Sequence, residues 1–176
     1  MIIDLRELRL NDEPLEIDKD FTNSELVVDS ELFHLESPVA SHVVISLRGD
    51  CVRVAGHLRG SLSMTCCRCS KPIFQPVDKD FLVDYWPDPV SREGEELRLN
   101  YDDLEVGFYH GDEFDLSAVI SEQIVLEVPM KPVCRENCKG LCDQCGADLE
   151  LGPCSCERNR IDPRLSALAE YRKKLN

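Results

Sequence analysis

Eight of the ten cysteines in this 176-residue chain fall into four close pairs, and six of those eight lie between Cys134 and Cys156. Closely paired thiols are suited to metal binding, because a short turn of backbone turns both sulfurs of a pair toward one point. The downstream run reads Cys134-Arg-Glu-Asn-Cys138-Lys-Gly-Leu-Cys142-Asp-Gln-Cys145-Gly146, then Cys154-Ser-Cys156; the fourth pair lies far upstream in Cys66-Cys67-Arg68-Cys69. Four pairs supply two tetrahedral sites, so two structural zinc ions are expected. Cys142-Asp-Gln-Cys145-Gly146 has the form of a zinc knuckle, in which backbone amides turn in toward the sulfurs and glycine permits the tight turn. Cys154 and Cys156 complete that site after a loop eased by Gly152-Pro153, and Cys66, Cys69, Cys134 and Cys138 form the other. Two alternatives stay open: a single zinc drawing on the six downstream cysteines, or a ribbon joining Cys66 and Cys69 to Cys142 and Cys145. Cys51 reads as a small buried residue of a strand. Cys67 reads as a spectator inside the upstream turn.

A chain of this length can bury roughly 70% of its unfolded surface in one core, so it does not need metal merely to fold. Charge interrupts Met1-Ile2-Ile3-Asp4-Leu5-Arg6-Glu7 before an export signal could form, and no membrane span is present. A cytoplasmic protein with reduced thiols is expected, which favours thiolate ligands over disulfides. The 20 basic and 34 acidic residues give a net charge of −14. That charge is unevenly spread. Residues 131–176 carry nine Lys and Arg against seven Asp and Glu, whereas residues 78–127 hold fifteen acids against Lys79, Arg92 and Arg98. A zinc held by four thiolates is itself anionic, and Lys131, Arg135, Lys139 and Arg158 can offset it.

Strand periodicity dominates the first half. Val43, Ile45 and Leu47 alternate with smaller or polar residues up to Gly49-Asp50; Val52, Val54 and Gly56 follow, then Leu58, Gly60, Leu62 and Met64 keep the period to the first cysteine turn. Phe81, Val83 and Tyr85 resume it, and Trp86-Pro87 closes that strand. Cys66–Cys69 is thus expected in a hairpin-like knuckle. Acid-rich residues 91–103 read as an exposed loop. Asp115 is a candidate N-cap for a helix burying Leu116, Val119, Ile120 and Ile124 and ending before Pro129. Asp162-Pro163 opens a last helix with Leu165, Leu168 and Leu175 on its apolar stripe and Arg172, Lys173 and Lys174 at its negative end. The expected fold class is α+β: an antiparallel β-meander or barrel-like sheet with a few helices and a C-terminal cysteine-rich zinc segment. Residues 1–130 form the β-rich body, and residues 131–176 the zinc-knuckle segment and last helix, packed on the body as a single unit.

No catalytic pattern accompanies these elements. His34, His42, His57 and His110 are dispersed, none spaced from a cysteine or another histidine as a catalytic metal site needs. G-x-S-x-G, a phosphate-cradling glycine loop and H-E-x-x-H are all missing. A dithiol enzyme would place C-x-x-C at a helix N-terminus within a βαβ unit, a setting neither motif has.

The motifs Leu62-Ser-Met-Thr-Cys66-Cys67-Arg68-Cys69-Ser-Lys-Pro72, Phe114-Asp-Leu116, Glu122-Gln-Ile124-Val-Leu126-Glu-Val-Pro129-Met130, Cys138-Lys-Gly-Leu-Cys142-Asp-Gln-Cys145-Gly146 and Asp162-Pro163-Arg164-Leu165 occur in this order. As an ordered set they resemble the bacterial and plastid YceD family, the large ribosomal RNA subunit accumulation proteins. The resemblance implies a non-enzymatic factor supporting 23S rRNA accumulation and large ribosomal subunit biogenesis. It also implies that the C-x-R-C turn is the more widely shared element, since relatives without the downstream knuckle retain it. Phosphate binding requires a basic stripe, and none is visible in the linear sequence. The acidic balance therefore favours a basic ribosomal protein or assembly factor as partner over 23S rRNA itself. A zinc-ribbon nucleic-acid-binding adaptor is the alternative, weakened by Asp143, Asp148 and Glu150 where such ribbons present bases and aromatics. A thiol redox protein is a third reading.

Overall fold

The protein is described from a computed structural model covering residues 1–11, 13–26, 33–88, 106–156 and 171. The expected loop over residues 91–103 lies outside the described residues. So does the expected last helix, of which Tyr171 alone is described, in helical conformation. The chain divides into two compact units: Met1–Cys67 with Lys71–Cys134, and Arg68–Ser70 with Arg135–Asn176.

The first unit is built on two long strands. β1 (Ile2–Asp4), α1 (Leu5–Asn11), β2 (Leu15–Phe21), β3 (Phe33–Leu35) and β4 (Val39–Arg48) lead into β5 (Cys51–Thr65) and β6 (Pro72–Pro87), followed by β7 (Val106–Tyr109), β8 (Glu113–Asp115) and α2 (Leu116–Leu126). The main sheet runs β2-β4-β5-β6-β7, with β3 paired to the far end of β5. It is an open sheet, so of the two forms expected the meander is the one present. β4 and β5 pair from Ala40↔Arg59 to Arg48↔Cys51 across a two-residue turn. Gly49 there has φ +61° and Asp50 stays on the negative side, which fits a II′ hairpin turn whose twist matches the strands.

Alternation decides which face is buried. On β4, Val39, Ser41, Val43 and Ile45 point inward while Ala40 and His42 are exposed. On β5 and β6, Val52, Val54, Leu58, Leu62, Val77, Phe81 and Tyr85 face the same core. Pro72 and Pro76 lie in the part of β6 that β7 does not reach, since β7 pairs only with Asp84–Pro87. A missing N–H is tolerated along such an edge.

Two features go beyond the expected meander. β7 pairs with β6 in parallel, from Asp84↔Val106 to Pro87↔Tyr109, so the sheet is mixed. The N-terminal residues also carry structure that their sequence pattern understates: β1 pairs with β8 from Ile2↔Asp115 to Asp4↔Glu113, and α1 buries Leu5 and Leu8. A three-residue strand and a seven-residue helix are too short for periodicity to announce them. α2 begins where its cap predicts: the Asp115 carboxylate accepts the Ser117 N–H at 3.0 Å. Its Leu116, Val119, Ile120 and Ile124 join the sheet's inner residues in one core.

Tyr85 locks the β7 edge to this core. Its hydroxyl donates to Glu122 Oε2 at 3.0 Å, and its ring meets Phe114 edge-on at 5.1 Å. Burial, reinforced by the Glu122 charge, pushes the phenol well above its ordinary pKa. The same ring lies over Gly107, where an added Cβ would fall 2.2 Å from Tyr85 Cε1. With the hydroxyl tethered and Phe114 against it, the ring has little room to yield. Gly107→Ala is expected to destabilise the protein by about 1–3 kcal/mol, read as a lower urea midpoint at unchanged slope; an unchanged midpoint would show that the ring can move aside.

Candidate metal centres

Two cysteine quartets are formed. The Sγ atoms of Cys66, Cys69, Cys134 and Cys138 all lie within 4.8 Å of one another, as do those of Cys142, Cys145, Cys154 and Cys156. All ten cysteines carry thiols rather than disulfides. Four sulfurs at the zinc–thiolate distance of about 2.3 Å form a tetrahedron with edges of about 3.8 Å. The spread of both quartets is close to that edge length. Cys142 and Cys145 are grouped with Cys154 and Cys156, and Cys66 and Cys69 with Cys134 and Cys138.

The upstream turn is made by the β5–β6 hairpin, whose last pair is Thr65↔Pro72. Cys66 N–H closes the turn on Lys71 O at 2.8 Å, and Cys67 N–H donates to Pro132 O at 2.8 Å. Cys134 N–H points at Cys66 Sγ at 3.4 Å, the backbone-to-sulfur contact that stabilises a thiolate. After Cys69 the chain needs a left-handed residue, and Ser70 takes it with φ 58°. Cys66, Cys69 and Cys138 are buried, while Cys134 is exposed.

The downstream quartet begins in a knuckle of the expected form. Gly146 N–H returns to Cys142 O at 2.9 Å and Cys142 N–H reaches Ala147 O at 2.8 Å; Gly146 has φ +72°. Leu141 and Asp148 form a bridge closing the loop. Glu150 clamps the preceding strand of chain, accepting Lys139 N–H at 2.7 Å and pairing with Arg135. Arg68 belongs to this unit too: its guanidinium donates to Cys138 O at 2.9 Å and Glu136 O at 3.2 Å, and its carbonyl accepts Leu141 N–H at 2.9 Å. Gly140, φ +74°, allows that approach, because an added Cβ would sit 2.8 Å from Arg68 O.

The electrostatics of the downstream four are what a cation resolves. Backbone N–H groups of Cys145 and Gln144 hold the Cys142 thiol down to about 7. The Cys156 thiol is pushed up to about 12, first by its hydrogen bond with Cys145 and then by burial. Four adjacent sulfurs cannot all lose their protons without a compensating charge. A dication supplies that charge and binds more tightly as the protons leave. The chemistry of both donor sets, soft and tetrahedral, suits zinc.

The remaining cysteines stand apart from the quartets. Cys51 is buried, and burial raises its thiol pKa; Cys67 is exposed. The histidines hold something that sequence spacing concealed: His42 and His57 are direct register partners on β4 and β5. Fifteen positions apart in sequence, they meet only through the hairpin.

The fold and these quartets define a class: a mixed-sheet protein with two four-cysteine centres suited to structural metal. The profile of the family described as "Large ribosomal RNA subunit accumulation protein YceD" matches residues 54–171. The chain belongs to the YceD family. It is similar to the maize "Large ribosomal RNA subunit accumulation protein YCED homolog 1, chloroplastic", with 28% identity over 157 residues covering 76% of this chain and 54% of the relative. The Arabidopsis thaliana homolog 1 shares 24% over 160 residues, 79% of this chain and 50% of the relative. An uncharacterized Mycobacterium tuberculosis protein, Rv2926c, shares 33% over 120 residues, 68% of this chain and 55% of that protein. The chain thus spans about half the length of these curated relatives. No solved structure matches it. Among the described residues no helix is long and apolar enough to cross a membrane.

Ser70 gives the upstream centre a sensitive reporter. A β-branched residue is poorly accommodated at positive φ, so Ser70→Val is expected to cost about 1–2 kcal/mol and to loosen metal at the upstream quartet. Ser70→Gly should retain both stability and metal. Equal behaviour of the two variants in thermal melts and metal analysis would show that the turn is not under this constraint.

Proposed function

We propose that this chain is a non-enzymatic, cytoplasmic factor supporting 23S rRNA accumulation and large ribosomal subunit biogenesis, and that it acts by holding a basic ribosomal protein or assembly factor. The observation that carries the reading is the family match over residues 54–171, which takes in the β5–β6 hairpin and all eight quartet cysteines. The names of the maize and Arabidopsis relatives point to the same process. The net charge of −14 argues for a basic protein rather than a phosphate backbone as the direct contact.

In this reading Cys66, Cys69, Cys134 and Cys138 hold one zinc and Cys142, Cys145, Cys154 and Cys156 a second. Both ions are structural: four protein sulfurs leave no open position for substrate. The first joins segments far apart in sequence. The second shapes a short local loop.

Depleting the protein should lower 23S rRNA relative to small-subunit rRNA and slow large-subunit assembly in sucrose gradients. Unchanged ratios would remove the functional reading. Protein purified without added metal should contain two zinc ions per chain, and the Cys142→Ser, Cys145→Ser double variant one. A count of one in the unaltered protein would refute the two-centre assignment. Because constraining a long loop removes more unfolded-state entropy, Cys69→Ser should lower the melting temperature more than Cys145→Ser; equal losses would argue against the long-range zinc.

A further inference from the structure

The solvent face of the main sheet is ordered in rows that register fixes. Val44, Ala55 and Leu82 are successive partners across β4, β5 and β6. Two rows toward the sheet's end, Trp86 on β6 pairs in register with Phe108 on β7. Leu82 is 62% exposed, Trp86 46% and Phe108 47%. A Trp–Phe pair left half in water beside an exposed leucine is a costly arrangement for a surface that binds nothing. Between the two apolar rows Arg53 and Asp84 are joined through Nε at 2.7 Å and Nη2 at 2.6 Å, a bidentate pair that cancels its own charge.

On the other side of Leu82 the face turns acidic. The next row is Asp18–His42–His57–Asp80, with His42 Nδ1 at 2.8 Å from Asp18 and His57 Nδ1 at 2.9 Å from Asp80. The row beyond is Asp20–Ala40–Arg59–Asp78, where Arg59 meets Asp78 at 3.3 Å. These two rows present four carboxylates and two imidazoles against the one guanidinium of Arg59. The surface therefore has an apolar, aromatic centre and an acidic flank on the same strands.

We propose that this face is the docking surface for a basic, apolar-anchored protein segment, with Leu82, Trp86 and Phe108 as its anchor site. The inference rests on the functional reading above and says where the partner binds. An extended segment repeats its side chains at about 6.7 Å, the same spacing as alternate residues of β6. An arginine or lysine of such a segment can lie on the Trp86 face while basic residues three and four repeats further along reach Asp80 and Asp78. Aromatic residues on a sheet can also stack nucleic-acid bases, but the carboxylates of the adjoining rows repel the phosphates that would have to follow. Charge complementarity selects the protein.

The test places a photo-reactive benzoylphenylalanine at position 82 of the full zinc-loaded chain and mixes it with purified large-subunit ribosomal proteins or, separately, with 23S rRNA. Cross-links to one or a few basic proteins are expected, competed by an alternating Arg-Leu peptide and weakened at least tenfold by Trp86→Ala with Phe108→Ala or by Asp80→Lys. Zinc content and melting temperature of these surface variants should match the parent. Cross-links to rRNA, cross-links to a second copy of the chain, or no cross-links would each overturn the docking assignment. Should the variants and parent capture the same ribosomal proteins in solution while position 82 stays silent, the surface is wrong and the functional reading stands. Capture of neither protein nor rRNA by the parent counts against that reading itself.

Discussion

Pairing of β5 with β6, continuous from Val52↔Tyr85 to Thr65↔Pro72, is the constraint from which the other features descend. One end of this ladder places Tyr85 under α2 and fixes the parallel β7 edge. The other end closes into the Cys66–Cys69 turn. Because side chains alternate along both strands, a slip of one residue would expose Leu58, Leu62, Val77 and Phe81 and bury Arg59, Asp78 and Asp80. The hydrophobic pattern forbids that slip. The position of the cysteine turn is therefore set by the core some distance away from it, before any metal is bound.

The two quartets relate to this frame differently. In the upstream one, three of four sulfurs are buried, and Cys134 N–H already donates to Cys66. In the downstream one, only Cys142 is buried, and order comes from short local bonds around Gly146 and from Glu150, which receives both Lys139 N–H and Arg135. Opposed pKa shifts at Cys142 and Cys156 mark a cluster whose protons are in competition. Such a cluster gains most from a cation, since the alternative is to retain protons on sulfurs that crowd one another.

Much of this was legible in the sequence, and for identifiable reasons. The period of two across Val43–Leu47 and Val52–Met64 reports strands half-buried on one face, and Val43, Ile45, Val52, Val54, Leu58, Leu62 and Met64 are the buried members of it. Asp115 announced its helix because capping is a local interaction between a carboxylate and an amide two residues on. The parallel β7 pairing was not legible: Val106–Tyr109 carries four residues, too few for periodicity to mark the strand or the direction of its pairing. Ser70 was likewise hidden, since nothing in its own chemistry signals positive φ; only comparison with Gly146 at the matching place in the other knuckle gives it away. His42 and His57 were passed over because linear spacing says nothing about cross-strand register.

Acidity and a role near RNA are reconciled by asking where the charge lies. If carboxylates were spread evenly, the chain would simply be repelled by phosphate and attracted to any cation. Instead the sheet pairs Asp84 with Arg53 and Asp78 with Arg59, while Asp18 and Asp80 meet the imidazoles of His42 and His57 beside an apolar centre. A surface of that composition discriminates: free lysine or arginine gains little from screened, exposed carboxylates, whereas a segment that also inserts an apolar side chain near Trp86 removes water from both interactions together. Ribosomal RNA cannot make the second contact without bringing its phosphates against the first. On the proposed reading, selection between a basic protein and a nucleic acid would be a consequence of the register that puts the aspartates and the aromatics on one face.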